Sequence, residues 1–196
     1  LIYNAANRLS EIKDHANQSV ASYRYDPFGR RISKTVHGDT TYFLYSPQGL
    51  IGEYTASGDL IRGYGYQPDG HWMTDPLYLK TGSTREQHYF YQNDHLGTPQ
   101  KLMSTTGAIV WDARYEAFGQ ATPIPLLPGV QPVDNPLRFA GQYHDPETGW
   151  HYNWHRYYAP ELGRYITSDP IGLEGGLNTY LYSVNNPLSY VDIYGL

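Results

Sequence analysis

Residues 25–29 read YDPFG, and a Tyr followed four positions later by a Gly recurs along the first 120 residues. Further copies stand at Tyr45–Gly49, Tyr66–Gly70 and Tyr115–Gly119, with variants at Tyr3–Asn7 and Tyr91–Gly97. Successive tyrosines of this set lie 20 to 25 residues apart, which is the length of a hairpin-sized unit. Because a Gly or Asn supplies the positive φ that a tight turn needs, we expect a turn at each copy.

The stretches between these turns alternate between apolar and polar residues, as in Arg31–Val36 and Thr41–Tyr45. Such alternation is typical of β-strands that are buried on one face. A single hairpin cannot bury its own apolar face, whereas stacked neighbours bury theirs together. We therefore predict an all-β fold, in which residues 1–120 form a structural array of short strands.

Composition narrows the classes of function that this chain can have. The 196 residues include 21 Tyr against 5 Phe, with 20 Gly and 14 Pro, which suits strands and turns. The absence of Cys excludes disulfides, thiolate metal sites and a Cys nucleophile. A net charge of -5 argues against a general nucleic-acid surface, and no apolar run is long enough for a membrane helix. The chain begins with Leu and shows no signal-peptide pattern, so we expect the natural protein to begin upstream.

Residues 121–137, which read ATPIPLLPGVQPVDNPL, interrupt the repeat pattern with five prolines. Proline has no backbone N–H to give to a strand ladder, so we expect this segment to lack regular strand pairing. It is predicted to be a linker or a surface loop. The expected organisation is therefore a repeat region over residues 1–120, a Pro-rich linker over 121–137 and a separate region over 138–196.

Residues 138–196 carry a dense series of short motifs. They include Arg138-Phe-Ala-Gly-Gln-Tyr143, Asp145-x-x-Thr-Gly149, Arg156-Tyr-Tyr158, Pro160-x-x-Gly-Arg164, Ser168-Asp-Pro-Ile-Gly-Leu173 and Tyr180-x-Tyr182. This series resembles the Rhs-repeat-associated core domain, and Tyr25-Asp-Pro-Phe-Gly-Arg30 resembles the YD repeats of the same family. The resemblance covers essentially the whole chain.

What the resemblance implies is a role in a large polymorphic toxin. In Rhs proteins and the similar C subunits of insecticidal toxin complexes, YD repeats wind into a β-sheet spiral that forms a hollow shell. A C-terminal autoproteolytic core domain closes the shell and cuts the chain after the Leu of a Pro-x4-Asp-Pro-x-Gly-Leu motif. In this sequence the motif falls on Pro187, Asp192, Gly195 and Leu196, with Ile193 where Pro is usual. We expect Leu196 to be the carboxyl terminus that the cut leaves.

The same resemblance implies the partners and the location of the protein. The expected partners are the remainder of its own shell upstream and a cleaved C-terminal toxin domain held inside. Spike or adaptor proteins of a secretion apparatus, often of type VI, are further expected partners. The protein would reside in the bacterial cytoplasm before delivery and then be secreted or injected into a target cell. Neither a cofactor, nor nucleic-acid binding by this segment, nor a membrane segment is expected.

The chemistry of such a cut requires an activated nucleophile and a proton for the leaving amine. The sequence has neither a Cys nor a Gly-x-Ser-x-Gly elbow, but two carboxyl groups sharing one proton can do both jobs. Asp169 and Asp192, each in an Asp-x-x-Gly-Leu motif, are the candidates, and the cut would follow Gly195 and Leu196. Arg164 is the expected basic partner, which would orient a carboxylate or stabilise the developing oxyanion.

Interpretations in which these residues have only a structural role remain open beside this one. An Asp before Pro or three before Gly is often only a turn residue, because its side chain caps the turn. His151, Asn153 and His155 would share a strand face, but two His without a third ligand are a poor zinc motif, and no metal is predicted. The alternative function is a non-catalytic structural or carbohydrate-binding β-repeat module with outward-facing tyrosines.

Overall fold

The structure, a computed structural model, describes residues 1–82 and 86–196, and within these residues it contains sixteen β-strands and no α-helix. The all-β prediction is therefore confirmed. The first twelve strands are β1 Ile2–Tyr3, β2 Leu9–Lys13, β3 Ser19–Tyr25, β4 Arg31–Val36, β5 Asp39–Ser46, β6 Gly49–Tyr54, β7 Leu60–Tyr66, β8 Pro76–Thr81, β9 Gln87–Asn93, β10 Pro99–Ser104, β11 Ile109–Tyr115 and β12 Ala121–Pro123. They form one antiparallel sheet in which the order of the strands follows the order of the chain.

The turns at the repeat copies follow the Tyr and Gly pattern of the sequence. Strands β1, β3, β7 and β11 end on the repeat tyrosine itself. In the YDPFG copy, the N–H of Gly29 donates to the carbonyl oxygen of Asp26 over 2.9 Å, and Gly29 has a φ of +85°. The copy at 66–70 differs, because there Asp69 takes the positive φ, at +60°. Pro68 and Asp69 occupy the two central positions of that turn, and Asp tolerates this conformation better than most residues.

The repeat tyrosines face the interior of the protein. Tyr66 is buried, and the other five of the set pack against the hydrophobic clusters of the core: Tyr3, Tyr25, Tyr45, Tyr91 and Tyr115. The hydroxyl of Tyr45 donates to the carbonyl oxygen of Arg31 over 2.9 Å. The Tyr of each repeat thus ends or nearly ends a strand and covers the inner face of its hairpin.

A second antiparallel sheet packs on the inner face of the first. Its strands are β13 Tyr143–Asp145, β14 Trp150–Asn153, β15 Arg156–Ala159 and β16 Arg164–Tyr165. Tyr143, Tyr152 and Tyr157 from this sheet belong to the same hydrophobic cluster as Tyr23, Phe43 and Tyr64 from the first. Two short 3-10 segments, Gly172–Gly175 and Ser183–Asn185, follow β16.

A buried ionic cluster joins the two sheets. Arg31 on β4 and Asp145 on β13 are each almost completely buried, and Arg31 Nη2 donates to Asp145 Oδ1 over 2.9 Å. Lys34 Nζ also contacts Asp145 Oδ1, at 2.9 Å. Burial alone would raise the pKa of Asp145, but the Arg31 and Lys34 charges hold it below its ordinary value. The cluster fixes the position of β13 and β14, which carry part of the site described below.

The Pro-rich segment departs from the sequence-based expectation at its start. Ala121–Pro123 forms β12 and pairs with Ala113–Tyr115 of β11, although no regular pairing was expected there. The pairing is possible because β12 is the last strand of the sheet, where a proline without an N–H is tolerated. Further along, the N–H of Val133 donates to the carbonyl oxygen of Val110 over 2.9 Å, which holds the segment against the sheet.

Candidate active site

Two aspartates that are distant in sequence meet on one guanidinium group. Asp169 Oδ2 lies 3.0 Å from Arg156 Nη2, and Asp192 Oδ2 lies 3.2 Å from the same nitrogen. The Arg156 side chain is 1% exposed, and those of Asp169 and Asp192 are 5% and 13% exposed. The predicted pairing of Asp169 with Asp192 therefore has a physical link, which is a buried cation between two carboxylates.

Arg156, the first residue of β15, uses its whole guanidinium group in contacts. Its Nε donates to the carbonyl oxygen of Gly195 over 2.8 Å, and its Nη1 donates to the carbonyl oxygen of Thr179 over 3.1 Å. The group lies over the ring of Tyr165, with Cζ 3.6 Å from the ring centroid. A planar fork that reaches several acceptors at once suits Arg and not Lys. Arg156 thus ties the residues near both aspartates to the second sheet.

Asp192 is surrounded by hydrogen-bond donors. Its Oδ2 accepts from Arg156 Nη2 and from the Tyr165 hydroxyl, the latter over 2.7 Å. Its Oδ1 accepts from three backbone N–H groups, those of Tyr194 (3.3 Å), Gly195 (2.8 Å) and Leu196 (3.2 Å). All five contacts are made by donors, so they fit the anionic form of this side chain.

Tyr165 and Asn153 hold Asp192 in place through hydrogen bonds. Asn153 Nδ2 donates to the Tyr165 hydroxyl over 2.8 Å and to the backbone carbonyl oxygen of Asp192, also over 2.8 Å. Burial, followed by the Asp192 charge, raises the pKa of Tyr165 well above its ordinary range. The Tyr165 hydroxyl therefore stays protonated and continues to donate to the carboxylate.

Asp169 has fewer partners than Asp192. Besides the ion pair with Arg156, its Oδ1 accepts a hydrogen bond from the N–H of Ile171 over 3.0 Å. Its backbone N–H donates to the carbonyl oxygen of Thr179 over 2.9 Å, which fixes its position beside the turn at Thr179. Gly175 approaches so closely that a Cβ on it would lie 2.6 Å from Asp169 Oδ2. The carboxylate keeps lone pairs that no described donor occupies.

The predicted cleavage segment runs directly over this site. Gly195 has a φ of +70°, and a Cβ there would lie 2.3 Å from the carbonyl oxygen of Asn153, so neither the backbone nor the space suits another residue. Ile193 packs its side chain against the main hydrophobic cluster. Within the described residues the N–H of Ile193 makes no hydrogen bond. The Pro of the family motif, which has no N–H, would therefore lose no hydrogen bond at this position.

Arg164, the expected basic partner, does not reach the aspartates. It lies on β16 next to Tyr165, and neighbouring strand residues point to opposite faces, so a buried Tyr165 leaves Arg164 exposed. Its guanidinium lies 4.5 Å from the ring centroid of Tyr180. Arg156 occupies the place expected for Arg164. The sequence offered a signal in the Arg156-Tyr-Tyr158 motif, but motif matching did not separate one arginine from the other.

A pocket of about 700 Å³ opens beside the two aspartates. Arg156, Asp169 and Asp192 are its charged residues, and Leu196 forms part of its wall. The residues named for a metal site serve other contacts: His151 Nδ1 lies 2.7 Å from Gln142 Oε1, and His155 Nδ1 lies 3.1 Å from the carbonyl oxygen of Tyr194. Residues 1–82 and 86–196 contain no cluster of three or more His, Cys, Asp or Glu that is suited to a metal.

A membrane-crossing helix is also absent from the part of the chain that the structure describes, where the helical segments are the two short 3-10 turns.

Two family models match this chain. The model described as RHS Repeat matches residues 3–41, and the model described as RHS protein matches residues 89–124. Both matches fall within the twelve-stranded sheet, where the Tyr and Gly repeats lie.

Known toxins align with the whole chain. Double-stranded DNA deaminase toxin A of Burkholderia cenocepacia is 33% identical over 218 residues, which covers 99% of this chain and 15% of the relative. Toxin protein Tse5 of Pseudomonas aeruginosa is 33% identical over 232 residues, covering 100% of this chain and 17% of the relative. The chain therefore spans less than a fifth of the length of these relatives.

A solved structure has the same fold. The crystal structure of TcdB2–TccC3 superimposes with a TM-score of 0.77 and 22% identity, and the match covers 100% of this chain and 10% of that one. At this identity the likeness concerns the fold alone.

Proposed function

The chain belongs to the Rhs family of shell-type polymorphic toxin regions, and on that premise we propose that it forms the C-terminal part of an Rhs shell and cuts its own chain after Leu196. The observation that carries this proposal is the convergence of Asp169 and Asp192 on Arg156. The same Asp192 accepts hydrogen bonds from the N–H groups of Gly195 and Leu196. Asp192 thus contacts the backbone just before the bond to be cut, and Asp169 is linked to the same backbone through Arg156, which binds the carbonyl oxygen of Gly195.

The two aspartates have different roles in this proposal. The Asp192 carboxylate accepts all five of its hydrogen bonds, three of them from the backbone N–H groups of residues 194–196. In this proposal Asp192 holds the backbone of residues 194–196 in place. Asp169, with free lone pairs on its carboxylate, is the general base, and a base must lie within reach of the proton that it removes.

The proposed reaction is a single hydrolysis. A water molecule adds through its oxygen to the carbonyl carbon of Leu196 and gives one proton to the Asp169 carboxylate. The carbon–nitrogen bond then breaks, and the leaving nitrogen takes that proton from Asp169. The carboxyl group formed on Leu196 passes its remaining proton to the freed amine, so the products are a carboxylate on Leu196 and an ammonium group on the next residue, and Asp169 returns to its starting state.

Arg156 is the basic partner in this scheme. Two carboxylates at close range repel each other, and a guanidinium between them offsets this repulsion. Its Nε also fixes the carbonyl oxygen of Gly195, one residue before the bond to be cut. Holding the reacting groups in one geometry is a large part of what an active site contributes to a rate.

The proposal extends to the organisation of the whole protein. Residues 1–120 would be shell wall, 121–137 a linker and 138–196 the Rhs-associated core that closes the shell. The partners would be the upstream shell and a C-terminal toxin held inside, with spike or adaptor proteins engaged at delivery. The protein would act by passing from the bacterial cytoplasm to a target cell. The support is the likeness to two named toxins, of which this chain spans only a part.

The experiment that tests the cut uses the natural gene product that contains residues 1–196. Asp169→Asn and Asp192→Asn are each introduced, and the products are separated on a denaturing gel. We expect the unaltered protein to give two bands and both variants to give one full-length band. Asp39→Asn, at an exposed position, serves as the matched control and is expected to cut normally. Complete cutting by both active-site variants would contradict the proposal.

The alternative of a carbohydrate-binding wall has less support. It relies on tyrosines that face outward, whereas the six repeat tyrosines pack against the core. Exposed aromatic side chains do occur on the first sheet, with Tyr42 and Phe90 each 49% exposed. Binding of the full-length protein to a glycan array, together with loss of that binding in Tyr42→Ala, would favour this alternative.

A further inference from the structure

The walls of the pocket beside the aspartates are mainly apolar, and much of that apolar surface is exposed. Leu177 is 95% exposed and Val184 is 71% exposed, so both side chains leave most of their apolar surface uncovered at the pocket. Further apolar side chains on the wall come from several parts of the C-terminal segment: Leu181, Val191, Ile193 and Leu196. The pocket has the lining of a site for an apolar group.

Leu196 connects this pocket to the cleavage segment. It belongs to the wall itself, and its N–H is held by Asp192 Oδ1 at 3.2 Å. The residue before it is held at its carbonyl by Arg156 Nε and at its N–H by Asp192. Because the backbone is fixed up to this point, a residue joined to Leu196 begins at the pocket and has little freedom to start elsewhere.

The charges of the pocket select among possible side chains. Among the described residues its charged lining consists of Arg156, Asp169 and Asp192, so one negative charge is left over. An acidic side chain brought into this space would be repelled by the aspartates and would lose its hydration. An apolar side chain would be stabilised in the pocket, because its burial against the apolar wall removes apolar surface from water.

We propose that the pocket binds the side chain of the residue that follows Leu196, accepting an apolar group and rejecting an acidic one. This inference rests on the proposed self-cleavage and specifies its substrate preference. Leu177, Leu181 and Val184 are the specificity-determining residues, since they form apolar wall without touching the carboxylates' hydrogen-bond network.

The test varies the residue after Leu196 in the natural gene product, with Leu, Ala or Asp at that position. Cleavage is followed over time after synthesis in a cell-free system, and the products are quantified on a denaturing gel. We expect the Leu chain to be cut at least about tenfold faster than the Asp chain, with Ala between them. Apolar pockets discriminate by about this factor.

A second variant separates recognition from general effects on folding. Leu177→Lys places a cation on the pocket wall at a position so exposed that the fold does not depend on it. It should speed cutting of the Asp chain by about threefold and slow cutting of the Leu chain. Leu127→Lys makes the same change at a 78% exposed residue that does not line the pocket, and it should leave both rates unaltered.

The outcomes distinguish this inference from the function on which it rests. If the three chains are cut at equal rates, or if Leu177→Lys changes nothing, the cleavage stands and the pocket assignment is overturned. If none of the chains is cut, the self-cleavage proposal fails, and the pocket assignment fails with it. A faster Asp chain would show that the pocket has the opposite preference.

Discussion

At the scale of single residues, the candidate site depends on the contacts of Arg156. The sequence allowed Asp169 and Asp192 to be proposed as a pair, because both stand in the same short motif. It was not enough to select the arginine, since Arg156 meets Asp192 across 36 residues of chain. Strand alternation excludes Arg164 once Tyr165 is known to be buried, and burial is a property of the packed sheet.

Replacement of Arg156 by Lys is expected to slow cleavage strongly. Lys provides a single point charge and cannot reach both carboxylates together with the carbonyls of Gly195 and Thr179. Loss of this positioning should reduce the rate roughly 100-fold, measured by the time course of cutting on a denaturing gel. Arg164→Lys is the matched control and should cut at the normal rate. Equal rates for the two variants would contradict the placement of Arg156 in the site.

The second residue-scale prediction concerns the departure from the family motif. Ile193→Pro restores the usual residue at a position whose N–H makes no described hydrogen bond. A Pro that fits the native backbone stabilises by about 0.4–1 kcal/mol, since it restricts the unfolded chain. We expect cutting at least as fast as in the unaltered protein and an unchanged or slightly higher unfolding midpoint. Loss of cutting in this variant would show that the backbone at Ile193 differs from the one described.

At the scale of elements, turn chemistry explains most of what could be predicted and one of the errors. Positive φ values at Asn7, Gly29 and Gly119 follow from the repeat pattern, whereas at the 66–70 copy the role passes to Asp69. The strand β12 was missed because proline content argues against pairing in general, and only the position at a sheet edge permits it. Contacts between the two sheets, such as that of Arg31 with Asp145, cannot be predicted from a local sequence pattern, because they join residues that are far apart in the chain.

Two titratable side chains of β13, His144 and Asp145, give the protein a predicted sensitivity to acid. Burial lowers the pKa of His144 to about 4, so the unfolded chain binds more protons than the folded one between about pH 6.5 and pH 4. Stability should therefore fall as the pH drops through this range. Below it, the lowered pKa of Asp145 continues the loss once the unfolded carboxyl begins to protonate.

The urea midpoint of unfolding, measured from pH 7 to pH 3, checks this prediction. His144→Gln should flatten the slope between about pH 6.5 and pH 4, because it removes one of the groups that titrate there. His15→Gln, at an exposed position, is the control and should retain the original slope. An identical slope in all three proteins would argue that β13 does not couple protonation to folding.

At the scale of the whole molecule, the described residues form an open sheet covered on one face. The twelve-stranded sheet ends at β1 on one side and β12 on the other, and neither edge is paired within the described residues. The all-β class and the repeat array could be predicted from the spacing of Tyr and Gly. The covering of the inner face by the second sheet could not, because it depends on contacts between residues more than 100 positions apart, such as Tyr23 with Glu147.

Residues 1–196 produced alone are expected to associate through these edges. An unpaired strand edge presents N–H and carbonyl groups that pair with another chain, and the upstream repeats of a longer protein would cover one of them. Analytical ultracentrifugation should detect oligomers, and Ile2→Lys, which places a charge on β1, should reduce them. A monodisperse monomer with a sharp melting transition would count against this prediction.

The central claim is that the chain is cut after Leu196, and the intact mass of the natural gene product tests it most directly. The protein is purified without protease treatment, denatured and analysed by mass spectrometry, with Asp169→Asn processed in parallel. The account predicts two chains in the unaltered protein, one of them ending in a Leu196 carboxylate, and one uncut chain in the variant. A single chain that runs continuously through Leu196 in the unaltered protein would contradict it.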